Sequence, residues 1–124
     1  NKGSRDFQYL EVDGEPLYKH VVRTLVKWNE KQNIGLVVGA THPSELEEIR
    51  SMVGDMPLLI PGLGAQGGDV ELSVRAGTPA DGLRGVYNSS RGIIFASGGE
   101  DFAERARIEA TVLRDQINQF RGDH

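Results

Sequence analysis

The chain contains no cysteine, which excludes disulfides, thiolate metal ligands and cysteine nucleophiles and is compatible with a reducing cytoplasm. It has no apolar run near the ~18 residues that a membrane-spanning helix needs. No signal-peptide pattern opens it. Excess positive charge is also missing: the formal net charge is -4 and the pI about 5.3. That argues against broad binding to nucleic acid or an anionic membrane, which requires a basic face. It leaves room for a phosphorylated small molecule, because one arginine and a few backbone amides hold a phosphate inside an acidic protein.

What is present is ordinary for a folded domain. Of 124 residues, 38% are hydrophobic and 26% charged, enough for one modest domain. Asn1 to Gly14 reads as a loop, with Gly3, Ser4, Asp13 and Gly14 as turn residues. An amphipathic helix is expected from about Glu15 to Lys31, with Pro16 in its first turn and Leu17, Val21, Leu25 and Trp28 as its packing stripe. Ile34 to Ala40 and Leu58 to Pro61 are short, apolar and rich in branched residues, the pattern of parallel strands buried on both faces. Pro43 opens a second helix, with Leu46, Ile49 and Val53 on its inner side. Asp69 to Ala76 reads as a short helix stopping at Gly77, and Leu83 to Asn88 as a third strand. Ser89 to Phe95 forms a helical turn, and a last helix runs from about Asp101 to Phe120. Strands alternating with helices imply a parallel sheet. Three strands leave two bare edges, which a partial barrel explains more easily than a complete fold.

Two strand exits carry candidate chemistry. Pro61 to Asp69 (PGLGAQGGD) places four glycines between a strand and a helix. Glycine permits positive φ and close backbone approach, and such a loop can aim amides at an anion or simply make a tight turn. Asn88 to Gly92 (NSSRG) sets Ser90 and Arg91 at the start of a short helix. Arg91 offers a planar, bidentate donor fork; alone, the motif reads equally as a surface arginine behind a serine cap. Together the motifs match the phosphate site made by the loops after strands seven and eight of a (β/α)8 barrel.

The series GLVVGAT (Gly35 to Thr41), ELEEIR, LLIPGLGAQGGD, NSSRGIIFAS and LRDQIN, with the opening NKGSRDFQ, resembles the bacterial-type orotidine 5'-phosphate decarboxylases over nearly the whole chain. The resemblance implies that residues 1-124 are the C-terminal half of a (β/α)8 TIM barrel, with its last three strands at Ile34–Ala40, Leu58–Pro61 and near Val86. It implies decarboxylation of orotidine monophosphate to uridine monophosphate without metal or organic cofactor, by a cytoplasmic homodimer. It assigns Gln66 to bridge the substrate phosphate and pyrimidine, Arg91 to pair with the phosphate helped by the Ser90 backbone, and Pro61 to line the pyrimidine pocket. The family's catalytic lysine and aspartates belong to the first half of the barrel, so no catalytic residue is expected here. Lys2, Lys19, Lys27 and Lys31 match no catalytic motif.

His42 is most simply a residue leading into a helix, Glu45, Glu47 and Glu48 a solvated helix face, and Trp28 a packing residue. Two further readings stand beside the enzyme half. One is a non-catalytic phosphate- or nucleotide-binding half-barrel. The other is a different sugar-phosphate barrel enzyme, which the pairing of GAQGGD with NSSRGII disfavours.

Overall fold

The computed structural model describes residues 2–64 and 68–122. The opening segment is ordered more richly than the loop read from its sequence. A 3-10 turn (Lys2–Ser4) and a short helix α1 (Arg5–Gln8) lead into a hairpin of β1 (Glu11–Val12) and β2 (Glu15–Pro16). The strands pair Glu11 with Pro16 and Val12 with Glu15, across a two-residue turn in which Asp13 and Gly14 both have positive φ. Asp-Gly is the favoured chemistry for that turn. Helix α2 (Leu17–Trp28) therefore starts after Pro16, which remains in β2 with an extended ψ of 137°.

The sheet beyond α2 is parallel, in the order β3 (Leu36–Val37), β4 (Leu58–Pro61), β5 (Gly85–Asn88). Helix α3 (Pro43–Val53) joins the first two strands and α4 (Val70–Gly77) joins the second and third. Local signals fix both helices. Pro43 occupies the first turn of α3, where its missing N–H has no partner to lose. The Asp69 carboxylate caps α4 by accepting from the Leu72 amide at 2.8 Å. Backbone bonds carry the β3–β4 ladder past the short strand itself, with Val38 N to Leu59 O at 2.9 Å and Ala40 N to Pro61 O at 2.8 Å. Helices α5 (Arg91–Ile94) and α6 (Phe102–Phe120) complete the chain.

The core lies on one side of the sheet. Leu58 and Ile60 of β4 are fully buried against Leu46, Ile49 and Val53 of α3, with Val22 of α2 alongside. Val22 sets the inner edge of α2, one position away from the expected stripe; Val21 is exposed and Trp28 is 68% exposed, so Trp28 does not pack. The strands are not buried on both faces as their sequence suggested. Val37, Leu59 and Val86 stand side by side in register and are 71%, 40% and 56% exposed. An apolar run on both faces of a strand needs layers on both faces, and these residues supply only one.

Arg50 holds the lower ends of these elements together. Its side chain is buried, and its guanidinium donates to the carbonyls of Gly77 (2.9 and 2.7 Å), Gly54 (2.7 Å) and Met56 (2.7 Å), with a longer contact to Arg84 O at 3.4 Å. Burial lowers its pKa from the ordinary arginine value, yet the carbonyl cage still suits a cation. Arg50→Met should destabilise the chain by about 3 kcal/mol or more, because several buried carbonyls lose their donors at roughly 1–3 kcal/mol each. Urea unfolding measures this, and a loss below about 1 kcal/mol would refute the clamp.

Candidate functional site

Residues at the C-terminal ends of the strands line two cavities. The smaller, about 160 Å³, lies between the β4 and β5 exits and is lined by Leu63, Gly64, Ser89, Gly92 and Ile93, with Glu109 and Leu113 from α6. The two motifs singled out in the sequence therefore meet at one place. The glycine loop closes on itself. Gly64 N donates to Gly68 O, Gly68 N donates to Gly62 O, and a β-bridge joins Leu63 to Gly68. Glycine is required at 68, where a Cβ would stand 2.6 Å from Gly62 O. The Gly64 and Gly68 amides are thus bonded within the loop, and the rest of the expected amide cradle, residues 65–67, lies outside the described residues. Asp69 likewise satisfies the Leu72 amide, so the start of α4 carries its own anion.

At the β5 exit, Ser90 precedes α5 and makes no side-chain cap. Ser90 and Arg91 are exposed, and no described residue holds the Arg91 guanidinium. Neither lines the small cavity, although their neighbours Ser89 and Gly92 do. Gln66 lies outside the described residues. Pro61 lines the other cavity.

That larger cleft, about 710 Å³, runs between α2 and the free edge of β3. Leu17, Val21 and Leu25 face Leu36 and Val37 in its apolar part. Its lining also includes polar and aromatic residues, Arg5, Phe7, Gln8 and Tyr9 from the opening arm and Thr41, His42, Glu45 and Pro61 from the strand exits and α3. His42 leads into α3, as read, and its Nδ1 lies 3.0 Å from Thr41 Oγ1. The glutamates of α3 are more than a solvated face. Glu45 accepts from the Tyr9 hydroxyl; Glu48 accepts from Tyr18 at 3.1 Å and from Lys19 at 2.5 Å. Sequence reasoning missed Tyr9, Tyr18 and Arg50, because each acts on a segment far away in the chain. Among the described residues no cluster of histidine and acidic side chains is arranged to hold a metal, and no helix is long and apolar enough to cross a membrane.

No family model matches the chain. It is 57% identical over 122 residues to an orotidine 5'-phosphate decarboxylase of Ralstonia pickettii, and 54% identical over 122 residues to that of Ralstonia nicotianae. Both alignments cover 98% of this chain and 45% of the relative. The solved structure of Leishmania donovani OMP decarboxylase superposes with a TM-score of 0.80 at 37% identity, over 98% of this chain and 45% of that one. The chain is a homologue of the orotidine 5'-phosphate decarboxylases. It spans less than half the length of the decarboxylases it matches.

In this decarboxylase homologue all three tyrosines hold their protons more tightly than free phenol. The Glu45 hydrogen bond raises Tyr9, burial followed by the Glu48 hydrogen bond pushes Tyr18 up to about 12, and burial raises Tyr87. As pH rises the unfolded chain therefore ionises first, from its ordinary value near 10. Stability present below pH 10 should fall between pH 10 and about 12. Phenolate absorbance of the native chain should rise only above pH 10; a native tyrosine titrating at or below 10 would contradict these contacts.

Proposed function

We propose that the chain is the C-terminal half of a (β/α)8 barrel that decarboxylates orotidine 5'-phosphate to uridine 5'-phosphate, and that it supplies the phosphate- and ring-binding loops. The observation that carries this reading is the meeting of the β4 and β5 exit loops at one cavity, in a homologue of these decarboxylases. Barrel enzymes hold phosphate between two such consecutive loops. Arg91 takes the phosphate, with an exposed planar donor fork and no competing described partner. The Ser90 backbone assists it. Gln66 joins the site on the strength of the resemblance. Pro61 forms a wall for the pyrimidine in the upper part of the large cleft.

The half-barrel assignment draws support from the lower part of that cleft. A crossover helix packs over the strands it joins, and α2 faces a β3 edge with no strand beside it among the described residues. A further parallel strand fits that slot, and the row Val37, Leu59, Val86 then becomes barrel interior. The lysine and carboxylates for proton transfer lie in sequence beyond these 124 residues. Of the lysines here, Lys19 is already paired with Glu48. Binding and chemistry thus divide between the halves, and phosphate binding far from the reacting carbon still lowers its barrier by holding the closed site together. The complete enzyme is a cytoplasmic homodimer that uses no metal or organic cofactor.

The 124-residue chain alone should not turn over orotidine 5'-phosphate. Loss of orotate absorbance at ordinary enzymatic rates, about 1–1000 per second, would overturn the division between halves. A chain that binds uridine 5'-phosphate in every context yet never gains activity when joined to a first half would be the non-catalytic binding module instead.

In the completed enzyme, Arg91→Ala should lower kcat/KM for orotidine 5'-phosphate by about one to several powers of ten, and by more than Gln66→Ala, because hydrogen bonds to charged groups are worth about 1.5–3 kcal/mol against roughly 0.5–1.5 for neutral ones. Orotidine, which lacks the phosphate, should be nearly indifferent to Arg91→Ala. Equal losses with both substrates would remove the phosphate from Arg91.

A further inference from the structure

Phe7 is 71% exposed, on a four-residue helix that buries nothing. The fold does not need it there. Phe7 and Gln8 nevertheless line the large cleft, as does Pro61. An exposed aromatic ring lining a cavity offers a planar ligand a contact that the core does not claim.

The opening arm, from Arg5 to Leu10, is tied to α2 and α3 by hydrogen bonds. Leu10 N donates to Phe7 O at 3.2 Å and Leu17 N to Leu10 O at 2.7 Å, which ties the arm to the start of α2. Arg23 grips Glu15 through both guanidinium nitrogens, and His20 Nε2 lies 2.8 Å from Val12 O, so the hairpin is fastened to α2 as well. Contact with α3, the helix that follows the β3 exit, runs through tyrosines. Tyr9 donates to Glu45, and its ring meets Tyr18 edge to face, with centroids 6.5 Å apart and planes at 88°. Tyr18 in turn donates to Glu48. Of these, Tyr9–Glu45 is the bond whose two residues both line the cleft.

We infer that the Tyr9–Glu45 hydrogen bond is a latch that holds Phe7 and Gln8 in the cleft lining as the second wall, with Pro61 as the first, of a site for the planar base of a pyrimidine nucleotide. The inference rests on the proposed function for the identity of the base. Tyr9 and Glu45 are positioning residues: they fix the wall and leave the phosphate end untouched. The latch therefore affects the part of affinity that comes from the base and not the part that comes from the phosphate.

The test uses the 124-residue chain, with uridine 5'-phosphate and ribose 5-phosphate as probes. Tyr9→Phe removes the donor and keeps the ring against Tyr18. It should raise hydrogen exchange of the Phe7 to Leu10 amides about tenfold and weaken uridine 5'-phosphate binding about tenfold, with ribose 5-phosphate binding unchanged. Glu45→Gln keeps an acceptor and should retain most of both properties, whereas Glu45→Ala should match Tyr9→Phe. Unaltered exchange in Tyr9→Phe overturns the latch whatever binds. Altered exchange with both ligands weakened equally overturns the assignment of the wall to the base. If neither probe binds the parent chain, the base site on this chain is overturned whatever the completed enzyme does, and the exchange data alone decide whether the latch exists.

Discussion

A single cation without a carboxylate partner organises the lower side of this molecule. The Arg50 guanidinium collects carbonyls from the end of α3, the end of α4 and the approach to β4, and reaches toward the approach to β5. Helix ends leave carbonyls that need donors. Here two helix ends and a strand start share one donor group with a rigid planar geometry. The strands therefore begin at fixed relative heights, and with strand lengths set by the pairing of β4 to β5, their exits do as well. The meeting of the glycine loop with the NSSRG loop at the far end follows from this.

The upper side is governed by how the loops use their own polar groups. The glycine loop bonds internally, and Asp69 supplies α4 with an anion from within the chain. The arm side is a different kind of construction, made of phenols donating to carboxylates on the surface. Lys19 holds the Glu48 carboxyl below its usual range, with Tyr18 adding to the effect, so the acceptor stays ionised well into acid.

Much of the element order was legible because its signals are local. Pro43 opens α3, Asp69 caps α4, and Gly77 closes it, packed so tightly that a Cβ would enter the space of Ile60 Cδ1. Asp13-Gly14 signalled a hairpin too, but the flanking strands are two residues each and carry no usable alternation. Burial was less legible. The spacing puts Val21 on the inner stripe of α2, and packing in the core selects its neighbour Val22 instead. The strands read as buried on both faces because their composition answers to a layer that this sheet does not carry. At the strand exits, sequence singled out two loops that the fold brings to one cavity, while the self-closure of the glycine loop and the Tyr9–Glu45 contact depend on geometry that no spacing reveals. The family resemblance rested on motif order along the whole chain, which is why the comparisons with known decarboxylases agree with it.

The exposed row of Val37, Leu59 and Val86 has a thermodynamic consequence. Part of the apolar burial available to these strands is left unused among the described residues. Whatever covers the row, binding the folded form and not the unfolded one, adds its own association free energy to folding by mass action.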